Sequence, residues 1–415
     1  MIKKPAAQLS IAPSNIKYGN LIKCYTELTP IHQAIVHILS VIYTETSRST
    51  LLQCMRRLKV RCPENKFLTH KTLDAFIGQM VSDGIIEQSG SSLRCADMLR
   101  EPVSRMLLRH NFFDKIAKVV QEVIPQKEGW RGKVYIANYD QLVREIRIGL
   151  YRKDTDYIKY LFSNYIGNDR DISFCTHPYV IIFRNSFDAD WFVENLSEDL
   201  LVDVLKALLE NAEHCLMPIH GDVFPLLQHR FESIKEGFKH PAALVIAEQL
   251  ILRGRIAEAQ QILTNFEGLE SLTLKGFSAF LMGKNEESIS YYNAALKLLK
   301  ETTRKRKIYF KTLPGIFFIF ALIRSGINEN FQIAKNHAGI AAGDGHNYFH
   351  EGYDFLFNML KARDGESDFA IFIISWQIPP FVTNTFDNFI KILSLYWTDK
   401  AKAGKAEKLL KEFHE

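Results

Sequence analysis

At 415 residues, with 47% hydrophobic and 24% charged residues, the chain has the composition of a soluble globular protein and exceeds what one hydrophobic core serves. Two to four domains are therefore expected. The net charge of +5 is uneven: residues 1–110 hold 15 Lys and Arg against 8 Asp and Glu, a net +7, and the remainder carries −2. An anionic partner at the N-terminal end is one implication. The longest apolar stretch, Leu313–Ile323, has eleven residues and stops at Arg324, too short to span a bilayer.

Residues 1–26 read as an extended N-terminal arm, and MIKKPAAQLSIAPS has no apolar run after its lysines, so no secretory signal is expected there. From Leu28 to Tyr43 apolar residues recur at helical spacing, with Thr29 as N-cap and Pro30 at the first helical position. A second helix, Arg48–Lys59, follows a Ser/Thr-rich turn. The third spans Thr69–Ser82, with Leu73, Phe76, Ile77, Met80 and Val81 on one face and Gly84 placed for the left-handed cap. Ile85–Glu87 and Leu93–Cys95 read as two short strands about a polar turn at Gly90–Ser92. Six cysteines lie far apart with no CxxC pair, as free thiols in a reducing compartment do, so a cytoplasmic location is expected.

Three helices and a β-hairpin over residues 27–102 resemble a winged-helix domain. That resemblance implies a third helix in the DNA major groove, with His70 and Lys71 nearest the bases. Arg56, Arg57, Arg61 and Lys66 would then face phosphates, and Arg94 would sit on the wing. Asp74, on the exposed face of the third helix, opposes phosphate there. Many winged helices are protein adaptors instead, so both uses stay open.

Residues 103–235 read as a less regular helical domain. Val103–Ile124, Asn138–Tyr160 and Asp188–Asn211 each carry a helical period, and Tyr179–Phe183 suits either a strand or a buried helical turn. His177, His214 and His220 are scattered, without paired metal-ligand spacing.

Residues 236–365 carry a repeat. In Leu272–Leu299, Gly276, Ser288, Tyr292 and Ala295 follow one another at offsets of twelve, four and three, about a turn at Gly283–Asn285. Small residues stand where antiparallel helices must touch, and an aromatic where a gap needs filling. That pattern resembles the tetratricopeptide repeat, a helical hairpin of about 34 residues that stacks on its neighbours. A second unit precedes it at Ala242–Phe266, displaced by 29 residues, with Gly254 at the turn and Ala259 and Leu263 at the equivalent positions. A looser third runs from Pro314 to Ala342, with Ala334 and Ala338 as its small positions. Residues 366–415 read as C-terminal helices.

Between the Leu272–Leu299 hairpin and the third unit lies a basic patch, Arg304, Lys305, Arg306 and Lys307, followed by Lys311. It reads either as a solvated helix end or as a site for phosphate or acid. Phe310, Phe317, Phe318 and Phe320 after it belong to a core rather than to a base-stacking platform. The texture of KRKIYFKTLPGIFFIFALIRSG and of Gly343–His346 resembles the helical region ahead of the motor in some bacterial SWI/SNF-type helicase-related ATPases. The resemblance covers residues 240–365 and implies a protein that engages DNA or a partner while a motor works.

No GxxxxGK[ST], GxSxG or GxGxxG occurs, and His350-Glu351 lacks the second histidine of a zinc-protease helix. Asp344, His346 and His350 make an inter-helix turn the nearest approach to a site. The expected fold is mainly α: a winged-helix domain, then a helical body with tetratricopeptide-like hairpins. The expected function is non-catalytic, with no cofactor and no membrane. The winged helix would hold DNA without strong sequence preference, and the repeat groove a protein segment, for an ATPase motor in cis or in trans. Two alternatives stand beside it, a stand-alone winged-helix transcription regulator with a helical sensor body and an enzyme with an unfamiliar site.

Overall fold

In a computed structural model the described residues are 21–128, 134–136, 138–165, 176–184, 187–215, 221–233, 236–305, 307–344 and 349–365. They are mainly α-helical and group into two compact units. The first holds the described residues up to Tyr165 and those from Pro178 to Ser197; the second holds Thr176, His177 and those from Glu198 on. Among the described residues no helix is long and apolar enough to cross a membrane.

The first unit is built on α1 (Pro30–Ile42), whose Ile35, Val36, Ile38, Leu39 and Val41 are fully buried. Thr29 is its extended N-cap, as its place before Pro30 suggests, but the Thr29 hydroxyl pairs with His32 Nδ1 rather than with a helix amide. Next come β1 (Thr46–Ser47), α2 (Arg48–Arg57), α3 (His70–Ser82), β2 (Ile86–Ser89) and β3 (Ser92–Cys95). The sheet order is β1-β3-β2, antiparallel throughout, with Thr46 opposite Leu93 and Ile86 opposite Cys95. β1 lies in the Ser/Thr-rich stretch that reads as a turn: two residues are too few to show a period. Thr69 and Thr72 form a reciprocal capping box that starts α3. Gly84, at φ +70°, ends it as expected.

Beyond the sheet the helices are shorter than their sequence periods suggest. α4 (Asp97–Arg109) and α5 (Phe113–Val123) are separated at Asn111, φ +59°. α6 (Tyr139–Arg152) and α7 (Thr155–Ser163) break at Lys153, φ +58°, where the Asp154 carboxylate accepts the Tyr157 amide at 2.9 Å. Pro178–Phe183 is helix α8, which resolves the apolar run there as buried helix, and α9 follows at Ala189–Asn195. An extended Leu196 separates α9 from the next helix, Glu198–Cys215 (α10), so Asp188–Asn211 is two helices.

This unit's core contains charge. Arg147 donates to Glu101 Oε1 (2.7 Å), the Ser40 carbonyl (2.6 Å), Ser104 Oγ and the Arg100 carbonyl, while Tyr151 donates to the other Glu101 oxygen. Both ionic side chains are almost fully buried, at 1% and 4% exposure. Each polar edge has a partner, the condition for burying an ion pair without a large penalty. Beside it, Glu145 accepts Arg144, Gln121 and Tyr157.

The second unit begins with α10 and continues through α11 (Val223–Arg230) into helical hairpins. These are α12 (Glu236–Leu252) with α13 (Ile256–Leu263), α14 (Leu269–Leu281) with α15 (Asn285–Thr303), and α16 (Leu313–Arg324) with α17 (Asn328–Ala342). α18 (His350–Arg363) packs on α17. The three turns fall at Gly254, Gly283 and Gly326, all at positive φ. At the α14–α15 crossing the size pattern takes physical form: a Cβ on Gly276 would lie 2.9 Å from the Tyr292 ring, and Ser288 Oγ donates to the Gly276 carbonyl at 2.8 Å. Tyr292 and Ala295 are fully buried, and Ala259, Ala334 and Ala338 likewise. Phe310, Phe317, Phe318 and Phe320 are buried between the hairpins, as the apolar run suggests.

Candidate functional site, a charged groove in the second unit

A cavity of about 600 Å³ opens in the second unit. Helical spacing selects its lining. Lys206 and Glu210 are four apart on α10; His240, Leu244 and Glu248 are four apart on α12; Glu270, Thr273 and Leu274 share a face of α14. The first helices of two successive hairpins thus turn one face into the cavity, beside α10. The rest of the lining comes from the end of α15 and the segment that follows it, with Lys305, Lys307, Tyr309, Phe310, Lys311 and Thr312, together with Asp344.

Both signs of charge line this space. The helical part of the lining carries Glu210, Glu248 and the exposed Glu270, and Lys206 lies 3.8 Å from Glu210. Half-buried Glu248 makes no hydrogen bond and no close ion pair. Its carboxyl is pushed up to about 7, first by burial, then by the charge of Glu210, with Lys206 opposing and Glu270 adding to the shift. Burial also raises Glu210, and it raises Glu213 well above the ordinary carboxylate range with help from Glu248 and Glu210. In the rest of the lining Tyr309 donates to Asp344 at 2.5 Å, and Lys311 stands 4.0 Å from the same carboxylate. The Phe310 amide donates to His337 Nε2 (3.4 Å), a buried imidazole that burial lowers to about 4 and so keeps as an acceptor.

Lys305, Lys307 and Lys311 of the basic patch therefore line the groove, whereas Arg304 caps α15 in the left-handed conformation and Arg306 lies outside the described residues. His346 lies outside them too, and His350 opens α18 on the surface. The acidic wall has no signature in the sequence, because its three carboxylates come from three helices. Among the described residues no three His, Cys, Asp or Glu side chains converge closely enough to hold a metal ion.

The sequence-predicted residues of the first unit differ in freedom. Arg56 donates to the Leu68 carbonyl (3.1 Å), Arg57 pairs with Glu122 (2.8 Å), and Arg94 pairs with Glu87. Arg61 donates to the Asn65 carbonyl and lies 4.6 Å over the Phe67 ring. Lys66, His70 and Lys71 are exposed and enter no ion pair. Asp74 is not an isolated negative charge: Arg48 Nε holds it at 2.8 Å while the same guanidinium reaches Gln88 and the Ser91 carbonyl, tying α3 to the β2–β3 hairpin. Arg48 is the residue the sequence reading missed; its signal was only a position one residue after an N-cap serine.

Compared with family models, with curated proteins and with solved structures, the chain finds no match.

Proposed function

We propose that the chain is a non-catalytic interaction module, whose first unit touches nucleic-acid backbone and whose second unit holds a segment of protein. The observation that carries the reading is the order of elements in the first unit: helix, strand, helix, helix, then a two-stranded hairpin, with the first strand pairing the last. That is the winged-helix order, and it leaves Lys66, His70 and Lys71 exposed at and before the start of α3. The four arginines nearby have internal partners, so Lys66 and Lys71 offer charge, and His70 a hydrogen bond, without first breaking a contact. Phosphate contacts of that number give weak, salt-sensitive and sequence-tolerant binding.

The protein-binding half is supported by the second unit. Hairpins that meet at a small–small–aromatic crossing stack as tetratricopeptide repeats do, and such stacks receive peptides on the face their first helices form. The resemblance of residues 240–365 to the region ahead of SWI/SNF-type motors supports reading the module as a partner of a DNA-dependent ATPase, in the same polypeptide or in trans.

Fluorescence anisotropy of the intact chain against random duplex and single-stranded DNA, at ~50 and ~200 mM salt, tests the nucleic-acid half. Binding that weakens several-fold over this range, and that Lys66→Glu with Lys71→Glu removes, is the expected result. An absence of binding at the lower salt would overturn it and leave a protein adaptor.

A further inference from the structure

We propose that the helical wall of the groove, formed by Glu210, Glu248 and Glu270, is a receptor for a lysine or arginine side chain of an extended peptide that carries an acidic residue nearby. The inference rests on the protein-binding reading of the second unit and names the chemistry of its partner.

Geometry comes first. The cavity volume of about 600 Å³ lies within the ~300–1,000 Å³ range of sites that enclose a ligand. Leu244, Val245, Leu274 and Pro314 line it beside the carboxylates, so an aliphatic stem would lie on apolar wall while its cationic head reaches the acids. Three carboxylates face one space with a single lysine near them. A cation entering that space gains from all three and replaces no ion pair at Glu248.

The lysines of the same lining restrict the occupant further. Lys305, Lys307 and Lys311 would repel a uniformly basic chain or a polyamine, and they would attract a carboxylate. An occupant with both signs suits a lining that holds both. A peptide with one basic and one acidic residue is such an occupant and agrees with the repeat-groove reading of this unit.

Binding should be linked to a proton. The groups facing Glu248 are Lys206, Glu210 and Glu213 on α10, Glu270 on α14 and His240 on its own helix. With its carboxyl pushed up to about 7, Glu248 is partly protonated at neutral pH, and an arriving cation favours its ionised form. Affinity then rises with pH as the acid loses its proton before binding. One linked proton sets the limit at about tenfold per pH unit.

The test uses the full-length chain and a labelled alanine-based hexapeptide library in which one position is Arg, Lys or Gln and another is Glu or Gln. The expected result is at least tenfold tighter binding of the Arg or Lys peptides carrying Glu than of their Gln counterparts. It includes an affinity that increases between pH 6 and 8. Glu248→Gln should flatten that pH profile and Glu210→Gln should weaken the cation preference, with circular dichroism unchanged in both. Binding of purely acidic or neutral peptides with no preference for a cation would overturn the inference while leaving a peptide-binding groove. No binding by any member at millimolar peptide would overturn both. Spermidine competing as well as the mixed-charge peptides would overturn the role given to the lysines.

Discussion

The two units place acidic groups in opposite surroundings. In the first, Glu101 has a partner on each oxygen, and the Arg147 guanidinium beside it is used along its whole edge. In the second, Glu210, Glu248 and Glu270 share a cavity in which Glu248 makes no close ion pair. A buried charge whose every bond is made within the chain holds the fold together. A charge left near others of its own sign costs stability, and is tolerated where a ligand relieves it. The contrast separates scaffold from site without reference to any relative.

The largest expected effect comes from breaking the satisfied network. Arg147→Met leaves the Glu101 carboxylate buried without its cation and should destabilise the first unit by about 3–5 kcal/mol in urea unfolding. Adding Glu101→Leu removes the orphaned charge and should recover most of that loss. If the double variant were as unstable as the single, the damage would lie in packing rather than in charge.

A second test asks whether the hairpins depend on close approach. Gly276→Val puts carbon where the Tyr292 ring already lies at 2.9 Å and should cost about 1–3 kcal/mol by overpacking. Lowered protection in hydrogen exchange should be confined to α14 and α15. A neutral result would mean that the crossing yields easily.

The unsatisfied acid predicts a gain instead. Glu248 is held near 7 in the folded chain and near its ordinary value of about 4.5 when unfolded. The folded state binds the extra proton, so this contribution is fully present below about 4.5 and is lost as pH rises through about 7. Glu248→Gln should therefore be more stable than the wild type at pH 8, with a flatter pH dependence in thermal unfolding. The smallest effect belongs to Lys71→Glu alone, which should leave stability within about 0.5 kcal/mol while reducing the salt slope of DNA binding by roughly one to two phosphate contacts.

Much of the fold was legible in the residues. The offsets of Gly276, Ser288, Tyr292 and Ala295 report a size constraint at one crossing, and size constraints survive in sequence order. Thr29–Pro30 and Gly84 likewise act locally. The missed breaks at Asn111 and Lys153 are left-handed residues that are not glycine; asparagine carries a weak signal for that conformation and lysine none. The site was half visible. Lys305, Lys307 and Lys311 are neighbours in sequence and stood out as a charge run. The carboxylates that share the cavity with them are dispersed over three helices and meet only through packing. Arg48 and Asp74 show the same limit from the other side: an acid that looks adverse to phosphate is already paired with a cation from another helix.

The most direct test measures hydrogen exchange in α6 and α12 for the wild type, Glu101→Gln and Glu248→Gln at pH 5 and pH 8, corrected for intrinsic exchange rates. The account predicts that Glu101→Gln loosens α6 at both pH values. It predicts that Glu248→Gln leaves α12 unchanged at pH 5 and better protected at pH 8. Loss of protection in α12 of the Glu248 variant at pH 8 would contradict it, because that carboxylate would then be holding the fold rather than waiting for a cation.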